Sequence, residues 1–361
     1  MQMRTTLSAL RKSLVGALLI GVLATAGQAQ QEQLDQLNKR MFDLYRSGRY
    51  ADGVPVAYEA MRLTEQLYGP QHASVAEGAN NLAEMYRMMG RFEEALPLYE
   101  RAMQITQLDG GPDNILTAAI LNNLGEMYRL QGAYEKAEPL YQRAIDAREK
   151  LLGFEHADLA QSLNNMALLQ AAQRKYDEAE PLYERALAIY RKTGGEETPQ
   201  VAATLTNLAE LYRAQERYAQ ARPLYEKALA VAEKAIGPES PTVIMNLNNQ
   251  ALLHMAENRP RDAERLLERA LKIQEKVYGR DSSASFTTLQ NLATVYQNQG
   301  KDRDAEALWT RAMAVGEKAY GKDSAVLVAP LEQLAEISKK QGRADEAAHY
   351  QERARLLARP Q

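Results

Sequence analysis

The sequence predicts an all-α protein, a solenoid of about eight antiparallel helical hairpins, and three observations predict it. A 42-residue unit recurs without a gap, the apolar residues inside each unit follow helical spacing, and glycines at 69, 111, 153, 195, 237, 279 and 321 fall in register at the unit's end. A fixed period of this length marks one supersecondary unit that must stack on its copies, which replaces the two or three globular domains that 361 residues would otherwise suggest.

The chain opens with a basic stretch (Arg4, Arg11, Lys12), an apolar run from Leu14 to Leu23, and the small residues Ala24-Thr25-Ala26-Gly27-Gln28-Ala29. This three-part order predicts a secretory signal peptide over residues 1–29, cleaved near Ala26 or Ala29. Its apolar run is half the roughly 20 residues a membrane-crossing helix needs, so a permanent span is not expected. The expected location is the periplasm or the outside of a Gram-negative cell. Cleavage would leave 41 positive against 47 negative side chains, a net charge of −6 instead of −3.

Residues 30–361 then read as one continuous array, with units at roughly 32–68, 73–110, 115–152, 157–194, 199–236, 241–278, 283–320 and 325–358. The segment Asn81-Leu82-Ala83-Glu84-Met85-Tyr86-Arg87 returns at 123–129 and 207–213, and more weakly from Asn165, Asn249, Asn291 and Gln333. In the second unit Ala79, Leu82, Ala83 and Tyr86 form one helical stripe. A turn follows at Gly90-Arg91, and six of the eight equivalent positions carry glycine or Asn258. Ala95, Leu98, Tyr99 and Ala102 then make the stripe of a second helix. Pro55, Pro97, Pro139, Pro181 and Pro223 lie beyond the first turn of that helix, where the ring removes a hydrogen bond and favours a bend.

The small Ala83, the aromatic Tyr86, Ala95, Tyr99 and Ala102 resemble the tetratricopeptide repeat. The 42-residue frame with Asn-Asn-Leu-Ala and Pro-Leu-Tyr-Glu-Arg-Ala is most similar to its kinesin-light-chain type, here as a secreted bacterial form. The resemblance spans residues 32–356 and implies a right-handed superhelix whose concave groove is lined by the first helix of each repeat.

That first helix carries a polar stripe beside its core stripe: Asn80, Asn81, Glu84 and Arg87, then Asn122, Asn123, Glu126 and Arg129, then Asn207, Glu210 and Arg213. Side-chain amides donate and accept, as the backbone of an extended peptide requires. The resemblance implies ligand contact at Asn81, Asn123, Asn165, Asn207, Asn249 and Asn291. The alternative is that these amides tie neighbouring helices together or face water. A clamp for a C-terminal carboxylate would need lysines one turn earlier, where the chain has Glu77, Ala119, Gln161, Ala203 and Met245. Leu168 with Ala171, and Leu252 with Met255, replace the Glu and Arg of the fourth and sixth units. They read as tighter packing, the alternative being a surface for apolar side chains.

Little in the chain points to chemistry. Without cysteine there is no disulfide, thiolate metal site or Cys nucleophile. His72 and His156 share one loop position two units apart, too far to join in a metal site. His254 stands in register with Tyr86, Tyr128 and Tyr212, and Trp309 with Tyr99, both as core residues. No phosphate-binding loop, nucleophile elbow or zinc motif appears, and the acidic balance does not suit nucleic acid. The expected function is therefore a non-enzymatic adaptor, without cofactor or metal, that binds a protein or peptide as a monomer or small oligomer. The alternative is a self-associating component of an envelope assembly. Against open-ended polymers, the last helix puts Gln351 in register with Tyr99, beside Glu352, Arg353 and Arg355.

Overall fold

The computed structural model describes residues 28–109 and 114–358. The signal-peptide reading therefore lies outside the described residues except at its last two positions, and so do Gly110 and Gly111. The fold is all-α, as expected, with no strand among the described residues.

Two helices and a short turn make each hairpin. The pairs are α1 (28–46) and α2 (Tyr50–Tyr68), α3 (Ala73–Met88) and α4 (Phe92–Asp109), α5 (Ile115–Leu130) and α6 (Tyr134–Leu152), α7 (Ala157–Ala172) and α8 (Tyr176–Gly194). They continue as α9 (Pro199–Ala214) and α10 (Tyr218–Ile236), α11 (Pro241–Ala256) and α12 (Pro260–Tyr278), α13 (Phe286–Asn298) and α14 (Asp302–Tyr320), α15 (Val328–Lys340) and α16 (Ala344–Leu357). The helices that carry Pro55, Pro97, Pro139, Pro181 and Pro223 run unbroken through them.

Local chemistry fixes both ends of each hairpin. The position occupied by His72, Asn114, His156, Thr198 and Ser240 caps the next helix, and Ser282 caps the 3-10 turn Ser283–Ser285 that leads into α13: each side chain accepts a backbone N–H two or three residues on, so both histidines are caps. The hairpin turn places residues 48, 90, 132, 174, 216, 258, 300 and 342 in left-handed backbone, five as glycine and three as Arg174, Glu216 and Asn258 (φ 58–61°). Second helices end differently. Gly153 (φ 81°, ψ −179°) and Gly195 (φ 84°, ψ −178°) take a conformation essentially closed to other residues, which explains glycines in strict register.

The chain divides into two compact units, one ending at Leu169 and the other starting at Gln170. In the first, Met61, Val75, Leu82, Met85, Tyr99, Ile105, Ile120 and Met127 share one buried cluster. In the second, Ala251 packs with Leu267, Leu292 and Val295, and Ala293 with Trp309, Leu334 and Ile337.

Polar rungs join successive hairpins within the second unit. Glu180 accepts from Tyr212 (2.7 Å) and pairs with Arg217 (2.7 Å), Glu264 pairs with Lys301 (2.7 Å), and Glu306 with Arg343 (2.6 Å). One rung is inverted: Arg222 stands in the carboxylate register and pairs with Glu257 at 2.5 Å. Cations also sit over the core tyrosines, Arg217 at 4.2 Å from the Tyr212 ring and Lys301 at 4.7 Å from Tyr296, and Arg91 at 4.8 Å from Tyr86 in the first unit.

Candidate functional site

The first helices present the polar stripe, and its charged members are already engaged inside the repeat. Arg129 grips both oxygens of Glu126 at 2.7 Å, and the buried Tyr141 of the second helix donates its hydroxyl to the same carboxylate at 2.7 Å. The arrangement recurs as Arg87, Glu84 and Tyr99, and as Arg213, Glu210 and Tyr225. Burial and then the neighbouring carboxylate push the three tyrosines well above the usual phenol value. For Glu126, burial would raise the pKa, but the Arg129 and Tyr141 bonds outweigh it and hold the carboxyl below its ordinary range. Glu84, Arg87, Glu126, Arg129, Glu210 and Arg213, expected on the partner-binding stripe, thus also have a role inside the hairpin. They link the two helices of one hairpin and neutralise each other. The missed signal was the fixed spacing of 15 residues from Glu to Tyr.

The amides divide into two sets. In the first unit Asn123 donates to Asn80 (3.1 Å), Asn122 donates to Asn123 (3.4 Å), and Asn165 (3.1 Å) and Ser162 (3.2 Å) donate to Asn122. Asn80 is 7% exposed and Asn122 2%, which corrects their assignment to the partner-binding stripe. Consecutive residues diverge by about 100° around a helix. Asn80 and Asn122 therefore turn into the next hairpin while Asn81 and Asn123 stay half-buried on the open face. In the second unit Asn248 plays the inward part, accepting from Asn291 (3.3 Å) and Thr288 (3.1 Å).

The half-buried set comprises Asn81, Asn123, Asn165, Asn207, Asn249 and Asn291. Asn123, Asn165 and Asn291 each give one N–H to the preceding hairpin and keep the other. Asn81 and Asn249 make no hydrogen bond among the described residues, so their whole amide capacity faces outward.

Around Asn249 the surface is apolar. Met245 and Leu252, one turn on either side of it on α11, are 44% and 37% exposed. Leu252 was read as tighter packing; its exposure corrects that, whereas Met255 does pack, against a core of Ala251 and Leu267. The spacing Met245-Asn249-Leu252 was the available signal. Trp309, in the Tyr99 register, is buried and donates its indole N–H to Gln297 at 2.8 Å. Among the described residues no group of His, Asp or Glu side chains suits a metal, and no helix is long and apolar enough to cross a membrane.

The sequence profile of the Tetratricopeptide repeat family matches residues 38–107, 74–150, 158–234, 200–276, 242–318 and 284–359. No curated protein matches the chain. Among solved structures the chain is similar to BtubC (BKLC) from P. vanneervenii, at 25% identity over 67% of this chain and 92% of that one, TM-score 0.51. It is also similar to a putative kinesin light chain with nearly identical TPR-like repeats from Podosopora anserina, at 25% identity over 58% of this chain and 99% of that one, TM-score 0.50. A signal transduction ATPase with a tetratricopeptide repeat sensor from Pyrococcus horikoshii shares the fold alone, at 16% identity over 91% of this chain and 47% of that one, TM-score 0.63.

Proposed function

Because the chain belongs to the tetratricopeptide-repeat family, whose fold typically serves protein–protein interaction, we propose that it is a non-enzymatic scaffold holding an extended protein segment on the face of its first helices. One observation carries this reading: half-buried asparagines recur every 42 residues on that face, with one N–H unspent at Asn123, Asn165 and Asn291 and the whole amide unspent at Asn81 and Asn249. An extended backbone offers the complementary N–H and C=O groups, and Met245 and Leu252 give its side chains an apolar rest beside Asn249. The leader of Arg4, Arg11, Lys12 and Leu14–Leu23 supports export, so the scaffold acts in the periplasm or outside the cell.

The test is selection of displayed linear peptides on residues 30–361, followed by affinity measurement on single variants. Asn81→Ala and Asn249→Ala weaken the selected peptides by about 2- to 10-fold each, the worth of one hydrogen bond, with the melting temperature unchanged. Asn122→Ala does the reverse: it leaves Ser162 and Asn165 short of an acceptor and lowers stability by about 1–3 kcal/mol. Affinity untouched by both outward substitutions would remove the first-helix face from the interaction.

A further inference from the structure

At the start of the first unit, α1, α2 and α3 leave open a cleft of about 420 Å³. A water takes about 30 Å³ of liquid volume, so the space suits a whole side chain. One lining residue departs from its register, and there α3 comes close to α2: a Cβ added to Gly78 would meet Met61 Cβ at 3.3 Å. The helix position held by Ile120, Ser162, Thr204, Asn246, Thr288 and Pro330 is buried in all six of those repeats, but in the second repeat it is Gly78. The neighbouring amide rung is open as well. Asn38 and Asn81 stand in the registers of Asn80 and Asn123, yet they make no hydrogen bond to each other.

The lining is chemically uneven. Leu34, Ala57, Ala60 and Met61 are buried, Met41 is half-buried and the buried Thr64 spends its hydroxyl on Ala60 O (2.8 Å), so the floor is mainly apolar, while Gln31, Asn38, Ser74 and Asn81 add polar groups to the lining. Glu77 is the one charged residue of the lining; it is exposed and has no ion pair or hydrogen bond among the described residues. An apolar floor ending at an unpaired carboxylate is complementary to an aliphatic stem that ends in a cation.

We propose that this cleft is an anchor subsite for an arginine or lysine side chain of the bound segment, with the stem on Met41 and Met61 and the cationic head on Glu77. The assignment rests on the scaffold reading and adds to it a residue preference and a register: the basic residue lies at the end of the segment held by the first unit. Neutral apolar side chains fill the same floor but leave Glu77 unanswered.

The experiment needs no natural partner. Blocked tripeptides Ac-Gly-Arg-Gly-NH2, Ac-Gly-Cit-Gly-NH2 (citrulline, the uncharged isostere) and Ac-Gly-Leu-Gly-NH2 are titrated to about 10 mM into residues 30–361 labelled with [13C-methyl]methionine. The arginine peptide moves the Met41 and Met61 signals at a Kd at least about tenfold below that of the citrulline peptide, and Glu77→Gln abolishes the difference. Glu77 is exposed, so that variant keeps the fold, which an unchanged melting temperature verifies. Three results overturn the proposal: a leucine peptide that binds as tightly as the arginine one, an arginine preference that survives Glu77→Gln, or methionine signals that no peptide moves. If displayed peptides bind through Asn249 while Met41 and Met61 stay silent, the cleft assignment fails alone. If Met41 and Met61 respond but no displayed peptide depends on Asn81 or Asn249, the wider reading fails alone.

Discussion

Glu126 shows how a polar residue on the open face can serve the core. Its carboxylate takes two bonds from Arg129 and one from the buried Tyr141; the second and fifth repeats keep all three, and the fourth keeps only the tyrosine, Tyr183, with Leu168 and Ala171. Where Leu267 replaces the tyrosine in the sixth repeat, Leu252 and Met255 replace the Glu and Arg; where Trp309 replaces it in the seventh, Gln297 supplies the acceptor. Glu126→Leu alone therefore strands a buried hydroxyl and an arginine, and costs about 2–3 kcal/mol in urea denaturation at neutral pH. Adding Tyr141→Leu and Arg129→Met, the set found in the sixth repeat, recovers most of the loss. Recovery of none would mean that the carboxylate acts outside this triad. His254 has a related account. It occupies the tyrosine register, with Nδ1 3.5 Å from Glu257 and Arg222, Arg259 and Asp262 nearby. Burial first, then Arg259 and Arg222, lower its pKa against the pull of Asp262 and Glu257. An unfolded histidine titrates near about 6.5, so between that value and the lower folded pKa the unfolded chain binds more protons. This contribution is complete above about pH 6.5 and is lost as the pH falls through the folded pKa. His254→Tyr should shrink the drop in melting temperature between about pH 7.5 and 5.5. An equal drop in both proteins would place the pH response elsewhere. The sequence showed the register of His254 but not Arg222, which reaches it from another helix.

At the scale of the element, the helices were legible because period and spacing agree: the expected stripes of Ala79, Leu82 and Ala83, and of Ala95, Tyr99 and Ala102, are buried in the structure. Less legible was which member of an Asn-Asn pair turns inward. That depends on how one hairpin sits on the next, which spacing within one helix does not encode. The turns give a sharper case. Arg174 and Glu216 hold the left-handed backbone that glycine holds in five other hairpins. That conformation costs a residue with a Cβ about 1–2 kcal/mol. Arg174→Gly should therefore raise stability by about 0.5–1 kcal/mol, even after glycine's greater entropy in the unfolded chain. Gly153→Ala should do the opposite. At φ 81° and ψ −179° an L-residue is strained, and the loss is about 1–3 kcal/mol, although nothing crowds the added methyl. Thermal melts of the two variants decide the matter, and a stabilising Gly153→Ala would refute the conformational account of the register.

For the whole molecule, the period was legible from end to end, whereas the division at Leu169 and Gln170 was not, because it falls inside α7 with no break in the repeat. Stacked hairpins raise the question of what prevents one chain from stacking on another. Each inner repeat buries an aromatic or aliphatic side chain at the Tyr99 register, but α16 exposes Gln351 there and buries only Ala347 and Ala354. Arg353 pairs with Glu317, and Arg355 with Glu352, so this face is polar and has its charges answered internally. A second copy docking on it would lose water from these groups with little apolar area, mainly that of Leu356, to offset the loss. The net charge of −6 expected after leader removal adds mutual repulsion at low ionic strength. Light scattering on residues 30–361 across a concentration series, at low and at physiological salt, should therefore return one constant mass. Mass that grows with concentration without a plateau would replace the adaptor with a self-assembling envelope component. It would also shift attention from the first-helix amides to the hairpin ends, since a helical stack grows only through its ends.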